Sequence, residues 1–123
     1  MTGFPSQMHI MNYKENWQED YRRKLVSAEE AAKVVKSGDR VIVSVGYSGI
    51  VGAAIVARSG ELKNVEIVSA GQLIDPGWFS PGYEAFRTTC EIYLGNLARP
   101  SHDEKRTDFL PNTVGTVFKL YDD

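Results

Sequence analysis

The feature that most constrains this fold is a run of four local signals in unbroken order: a helix start, a helix stop, a buried strand and a glycine loop. Ser27 followed three residues later by Glu30 forms a capping box, and Gly38 supplies the left-handed residue that commonly ends a helix. Arg40–Val45 is almost continuously apolar and β-branched, which is typical of a strand covered on both faces. The loop Gly46–Gly49 follows the carboxyl end of that strand, where open α/β sheets bind their ligands.

Further apolar runs extend this pattern along the chain. Residues 28–37 predict an amphipathic helix, and residues 50–57 predict an apolar helix wedged against a sheet. Val65–Ser69 is the second predicted strand and Cys90–Leu94 the third, whereas residues 113–120 predict a final strand or short helix. Because these β-branched runs do not alternate with polar residues, we predict an open, mostly parallel α/β sheet with flanking helices.

The domain organisation is simple. Residues 1–13 lack any periodicity and predict a mobile amino-terminal arm, and residues 14–123 predict a single α/β domain. The segment 96–112 is polar and too long for a simple connection, so we expect a loop with a functional or partner-binding role.

Composition limits the classes of partner and compartment. A net charge of −2 with both signs scattered provides no basic stripe, so nucleic acid is not an expected partner. Cys90 is the single cysteine, which rules out a disulfide within the chain and fits a reducing cytoplasm. No apolar run approaches the roughly 18 residues of a membrane span, and the first residues lack a secretory signal. These features predict a cytoplasmic protein without a membrane partner.

The order of several motifs is more specific than the glycine loop alone. They are Trp17-Gln-Glu-Asp-Tyr-Arg-Arg-Lys-Leu-Val-Ser-Ala-Glu-Glu-Ala, Lys36-Ser-Gly-Asp-Arg-Val, Glu61-Leu-Lys-Asn-Val-Glu-Ile-Val, Phe86-Arg-Thr-Thr and Arg106-Thr-Asp-Phe-Leu-Pro111. Together they resemble the amino-terminal part of the acetyl-CoA hydrolase and 4-hydroxybutyrate CoA-transferase family. The resemblance covers roughly residues 14–121, which is nearly the whole chain.

The resemblance implies a CoA-transferase-like half domain. Enzymes of this family are several times longer, and their catalytic glutamate lies downstream of everything matched here. The expectation is therefore a subunit or fragment of a CoA-transferase or acyl-CoA hydrolase that has no catalytic residue of its own. Coenzyme A would enter as a substrate thioester together with a carboxylic acid. A companion chain would carry the glutamate, which makes the protein part of an oligomer and inactive without its partner.

The resemblance also gives a role to the loop at the end of the first strand. Gly46, Ser48 and Gly49 could present backbone N–H groups to a thioester oxygen or a CoA phosphate, because small residues let the backbone approach a ligand. Tyr47 completes this loop, and Gln72, just past the second strand, is placed to hydrogen-bond a ligand carbonyl. The loop could equally be a tight strand-to-helix turn without a ligand, with Gln72 as a loop cap.

Two other functions remain open at this level. The chain could be a catalytically silent relative that binds acyl-CoA or acts as a structural subunit. It could also be an unrelated small α/β protein that binds a nucleotide, although the loop lacks both the Gly-x-Gly-x-x-Gly pattern and a terminal Lys-Ser/Thr.

The remaining reactive or prominent residues receive simpler interpretations. His9 and His102 lack neighbouring ligands at metal-binding spacing, so no metal site is predicted. Cys90 lies in an apolar strand pattern and is expected to be a buried hydrophobic residue rather than a nucleophile. Trp78 and Phe79 lie in a loop rich in proline and glycine. They are interpreted either as an exposed interface for the companion chain or as a cap packed over the end of the sheet.

Overall fold

The chain was analysed as a computed structural model that describes residues 16–45, 49–82 and 84–116. The predicted arm, residues 1–13, lies outside the described residues, as do Gly46, Tyr47 and Ser48 of the glycine loop. In chain order, the elements are α1 (Trp17–Lys24), α2 (Ala28–Ala32), β1 (Arg40–Val43), α3 (Ile50–Val56), β2 (Val65–Ser69), β3 (Phe86–Glu91), α4 (Arg99–Asp103) and β4 (Thr107–Leu110).

The four strands form one sheet in the order β1-β2-β3-β4, and every neighbouring pair is parallel. The register aligns Val41 with Ile67, Ile67 with Thr88, and Thr88 with Thr107. The predicted open α/β sheet is therefore confirmed. Because the strands are parallel and in sequential order, all four carboxyl ends lie at one edge, and the loops that follow them can meet there.

The second strand has the predicted bounds, whereas the third and fourth strands do not. The strand predicted at Cys90–Leu94 begins earlier, at Phe86, and ends at Glu91 because Ile92 adopts a positive φ of 61°. The fourth strand lies inside the segment predicted to be a loop, which also contains α4. Thr107 of this strand is buried, and its hydroxyl hydrogen-bonds the hydroxyl of Thr88 on the neighbouring strand β3 at 2.6 Å.

The start of α2 is formed as the capping box predicts, but the helix is short. The backbone N–H of Glu30 donates to Oγ of Ser27 at 3.2 Å. The helix ends at Ala32 rather than continuing to residue 37, and turns follow it. Arg58 donates from Nη1 to the carbonyl oxygens of Ala32 and Val35, so a side chain beyond α3 stabilises the turn that ends this helix.

The hydrophobic core lies on the face of the sheet that carries Val43, Val65 and Ile67. The helices α2 and α3 pack against each other and contribute Ala32, Ile55 and Val56 to this core. Further members of the core are Val35, Leu62, Trp78, Phe79, Phe86, Cys90 and Ala98.

The opposite face of the sheet retains exposed apolar side chains. Ile42 is paired with the buried Val68 and is 65% exposed, and Leu110, paired with Glu91, is 44% exposed. The helix α1 has no buried residue, and its Trp17 and Tyr21 are both exposed. Since parallel sheets are normally covered on both faces, the described part of this chain leaves one face incomplete.

Candidate functional site

The candidate site is built from the turns that follow β1, β2 and β3 at the carboxyl edge of the sheet. The register places Val43 beside Ser69 and Ser69 beside Cys90, so the three strands end within one or two residues of each other. Of the five predicted ligand contacts, the structure describes Gly49 and Gln72. The other three, at positions 46–48, lie outside the described residues, and their role stays a prediction.

Gly49 brings the end of the first loop against the turn that follows β2. It is buried and adopts a φ of +81°, a backbone conformation that glycine tolerates much better than other residues. A Cβ added at Gly49 would lie 2.7 Å from Cγ2 of Ile74, which is closer than carbon atoms can approach. A glycine is therefore required at this position, both for its conformation and for its contact with the neighbouring turn.

Gln72 is buried beside these turns and has an incomplete set of hydrogen bonds. It is 6% exposed, and its Oε1 accepts a hydrogen bond from Nε1 of Trp78 at 3.2 Å. An indole nitrogen can only donate, so the amide oxygen must face Trp78 and the amide nitrogen must point elsewhere. That nitrogen has no hydrogen-bond partner among the described residues. A buried donor without an acceptor is costly in a folded protein, and it is a ready contact for a ligand oxygen.

Tyr93 was not predicted as a site residue, yet it lies against two glycines at this edge. A Cβ at Gly71 would be 2.9 Å from Cδ1 of Tyr93, and a Cβ at Gly95 would be 3.2 Å from its Cε1. The ring thus rests in a space that only glycines leave open, while Tyr93 remains 59% exposed. A glycine shortly after each of two strands was the sequence signal that could have pointed to this contact.

A groove of about 290 Å³ lies between β1 and α3, next to these turns. Its lining is mostly apolar, and it consists of Val41, Ile42, Val43, Ser44, Val51, Gly52, Ile55 and Trp78. Trp78 therefore borders the groove and also holds the amide of Gln72. Gln72 itself does not line the groove, and its amide nitrogen is buried behind Trp78's hydrogen bond to the amide oxygen.

Trp78 and Phe79 are buried, being 3% and 4% exposed. They therefore do not form the exposed surface that the interface interpretation requires. The alternative interpretation, a loop packed over the sheet within the same chain, is the one observed. Asp75 stabilises the turn before them by accepting the N–H of Gly77 at 2.7 Å, and Nη1 of Arg106 donates to the carbonyl oxygen of Phe79 at 2.5 Å. The loop is thus fixed by hydrogen bonds on both sides of the aromatic pair.

Cys90 is confirmed as a buried residue of β3. It is 1% exposed, and its Sγ lies 3.8 Å from Oγ of Ser69. Burial raises the pKa of the Cys90 thiol above its ordinary value of 9.0, and the hydrogen bond with Ser69 opposes this effect only in part. The thiol therefore stays protonated near neutral pH, a form that is a poor nucleophile.

The histidines do not form a metal site in the described part of the chain. Nδ1 of His102 hydrogen-bonds the carbonyl oxygen of Thr107 at 2.9 Å, and its ring packs edge-on against Phe109. His9 lies outside the described residues. Within residues 16–45, 49–82 and 84–116, no group of three or more His, Cys, Asp or Glu side chains could hold a metal ion. No helix in these ranges is both long and apolar enough to cross a lipid bilayer.

The glutamates after α3 and in or near β2 and β3 lie in varied contexts. Glu66 pairs with Arg40 at 2.6 Å across β1 and β2, and Glu61 pairs with Arg58. Glu84 is exposed, whereas Glu91 is 4% exposed at the end of β3. Glu61 and Glu66 are thus engaged in ion pairs away from the carboxyl edge.

Comparison with known proteins confirms the sequence resemblance. The profile of the acetyl-CoA hydrolase/transferase N-terminal domain matches residues 8–112. The succinyl-CoA:cyclohexane-1-carboxylate CoA transferase of Geobacter metallireducens is 29% identical to this chain over 116 residues. That alignment covers 93% of this chain and 26% of the relative. The chain therefore spans about a quarter of the length of this relative.

Proposed function

Because this chain belongs to the acetyl-CoA hydrolase/transferase N-terminal domain family, we propose that it supplies the glycine-loop side of an acyl-CoA site in a CoA-transferase or acyl-CoA hydrolase. Coenzyme A enters this site as a substrate thioester. The catalytic glutamate comes from outside this chain, on a companion polypeptide. The observation that best supports this proposal is the buried amide nitrogen of Gln72, which has no partner among the described residues.

The proposed reaction needs a donor at this position. A glutamate carboxylate attacks the thioester carbonyl of acyl-CoA and expels CoA thiolate, which leaves a mixed anhydride. The thiolate then attacks the glutamyl carbonyl and releases the first carboxylate, which leaves CoA bound to the enzyme as a thioester. An acceptor carboxylate then attacks the glutamyl thioester and expels CoA thiolate, and the thiolate attacks the acceptor's acyl carbonyl in the new anhydride, which gives the product acyl-CoA and the free glutamate. In a hydrolase, water attacks the glutamyl thioester and releases CoA and the glutamate. Each attack on a carbonyl places negative charge on its oxygen, and the Gln72 amide and the loop backbone would stabilise that charge.

One observation supports a contribution from another polypeptide. The sheet face that carries Ile42 and Leu110 keeps exposed apolar side chains, which suits a permanent and largely apolar contact. An oligomer with a companion chain would cover this face and complete the site.

Family membership removes the alternative of an unrelated nucleotide-binding protein. A catalytically silent relative that binds acyl-CoA remains the second candidate, because the same pocket could hold a thioester without the glutamate that reacts with it. The two functions differ in one measurable respect. An enzyme subunit forms a covalent glutamyl thioester in its complex, and a silent subunit does not.

The decisive experiment captures the native chain with its partners and identifies them by mass spectrometry. The complex and the isolated chain are then incubated with acetyl-CoA and acetate, and CoA exchange is measured. We expect exchange by the complex and none by the isolated chain. Borohydride converts a glutamyl thioester to the alcohol, and peptide mass spectrometry then locates the modified glutamate. We expect the modification on the companion chain.

Turnover by the isolated chain, or a modified glutamate within residues 1–123, would show that the nucleophile is not on another polypeptide. A complex that binds acyl-CoA without exchange or modification would favour the silent subunit. If the complex exchanges CoA and Gln72→Leu does not change the exchange rate, the family assignment stays intact. Gln72 would then have no role in the site.

A further inference from the structure

The turn after β3 holds an aromatic side chain at the proposed site at the cost of local backbone strain. Ile92 has a φ of +61°, which is rare for a β-branched residue because its side chain crowds the backbone there. The next residue, Tyr93, turns back so that its N–H donates to the carbonyl oxygen of Glu91. Strained residues persist where the surrounding structure needs them, and they concentrate at functional sites.

The strained turn delivers the Tyr93 ring to the turn that follows β2. The ring fills the space beside Gly71 and Gly95, and a Cβ at Gly95 would also lie 3.8 Å from the backbone oxygen of Gln72. The aromatic ring and the Gln72 backbone therefore both border Gly95. Tyr93 nevertheless stays 59% exposed, so one part of it is available for contact with a ligand.

The two turns carry apolar side chains and lack charge. Residues 70–74 and 92–95 contain no Asp, Glu, Lys or Arg. Leu73 is 75% exposed and Ile74 is 45% exposed, so apolar surface continues from Tyr93 along this edge. A ligand group held against residues 70–74 and 92–95 meets apolar carbon and neutral polar groups, because neither described turn contains a Lys or Arg.

We propose that Tyr93 is a specificity-determining residue that selects thioesters with an uncharged, apolar acyl group. This inference rests on the proposed function. The exposed part of the ring packs against the body of the acyl group, and the Gln72 amide donates to its carbonyl oxygen. A second carboxylate on the acyl group would lose hydration beside Tyr93 and gain no ionic partner, so dicarboxylic acyl groups bind less well.

The test compares three ligands of graded chemistry: free CoA, pentanoyl-CoA and succinyl-CoA. The two thioesters have acyl chains of similar length and differ chiefly in the terminal carboxylate. Saturation-transfer NMR and titration to millimolar ligand measure binding to the complex captured with the wild-type chain and to the same complex reconstituted with its Tyr93→Ala or Tyr93→Phe variant. Thermal unfolding shows whether each variant is folded, which we expect because Tyr93 is largely exposed.

The complex with the wild-type chain should bind pentanoyl-CoA at least about tenfold more tightly than succinyl-CoA. An affinity ratio of this size is expected when one ligand lacks a few apolar contacts that the other makes. In Tyr93→Ala, pentanoyl-CoA should bind about tenfold less tightly, and the preference should fall to about twofold or less. Binding of free CoA should not change. Tyr93→Phe keeps the ring, and it should behave like the wild type.

The outcomes separate this inference from the function on which it rests. If the complex that contains the wild-type chain binds neither CoA nor either thioester at millimolar concentration, the proposed acyl-CoA site is wrong, and the role of Tyr93 fails with it. If thioesters bind but Tyr93→Ala leaves the preference unchanged, the acyl-CoA site stands and Tyr93 does not select its ligand. A wild-type preference for succinyl-CoA would also overturn the inference.

Discussion

The indole N–H of Trp78 hydrogen-bonds the side-chain oxygen of Gln72 at 3.2 Å, and both residues are buried. Trp78 belongs to the hydrophobic core, whereas Gln72 lies in the turn that follows β2. The bond thus connects the packing of the domain to the orientation of one amide at the candidate site. Because the amide oxygen is fixed, the nitrogen is presented in a direction that the core determines.

Replacing Trp78 with Phe should reduce both stability and ligand binding. The change deletes the indole N–H, leaves the buried Oε1 of Gln72 without its donor, and should lower the free energy of unfolding by roughly 1–3 kcal/mol. Phe79→Leu is the matched control, because Phe79 is equally buried in the same loop but its side chain has no hydrogen-bond donor. Urea unfolding measures stability, and titration measures acyl-CoA binding. Loss of affinity in both variants to the same degree would show that the hydrogen bond has no specific role.

Replacing Gly49 with Ala should destabilise the domain through two separate effects. The left-handed conformation costs roughly 1–2 kcal/mol for a residue with a Cβ, and contact with Ile74 raises the total to about 2–3 kcal/mol. Gly38→Ala isolates the first effect, because Gly38 has a φ of +86° and its Cβ would meet nothing within 4 Å. Adding Ile74→Ala to Gly49→Ala should recover part of the loss in urea unfolding. Equal destabilisation at both glycines would contradict the close contact with Ile74.

Replacing Gln72 with Leu should affect catalysis more than folding. If the amide stabilises the developing oxyanion, kcat of the complete enzyme should fall by about 10²–10³. Removing the unpartnered nitrogen should offset part of the cost of losing the hydrogen bond between Gln72 and Trp78, so the free energy of unfolding should change by no more than about 1 kcal/mol. Steady-state kinetics of the reconstituted complex and urea unfolding of the chain measure the two effects. A change in KM alone, with kcat intact, would indicate a role in binding rather than in catalysis.

The buried thiol of Cys90 should make stability depend on pH in the alkaline range. Because burial raises the pKa of this thiol in the folded state, the unfolded chain releases its proton first as the pH rises. The stabilising contribution is complete below the ordinary value of 9.0 and is lost as the pH rises through the folded-state pKa. Urea unfolding between neutral pH and pH values above 9 should therefore show a decline in the wild type that is smaller in Cys90→Ala. Parallel curves for the two proteins would contradict this prediction.

Much of the architecture could be predicted because its signals are local. Val65–Ser69 has the same bounds in the prediction and in the structure, because a continuous β-branched run is flanked by turn residues. The Ser27 cap also forms as expected, since its hydrogen bond reaches only three residues along the chain. The family could be predicted for the same reason, because short motifs in a fixed order are readable without any knowledge of contacts.

The candidate site was only partly predictable. Gln72 was predicted as a ligand contact from its place after a strand, but its fixed orientation depends on Trp78, which hydrophobicity alone could place either inside or outside. Tyr93 was not predicted, because its role depends on two glycines from different turns that meet in space. These contacts join residues that the linear pattern does not relate.

The sequence by itself therefore determined the class of fold, the helix cap, the second strand and the family, all of which depend on short-range chemistry. The tertiary structure alone decided that the polar segment around Thr107 becomes a fourth strand, because this segment pairs in parallel with β3 and its buried hydroxyl hydrogen-bonds both Thr88 and Ser101. It also decided that Trp78 and Phe79 turn inward and that Tyr93 lies at the site. In each case the preference of the residue is ambiguous on its own, and packing against distant partners settles it.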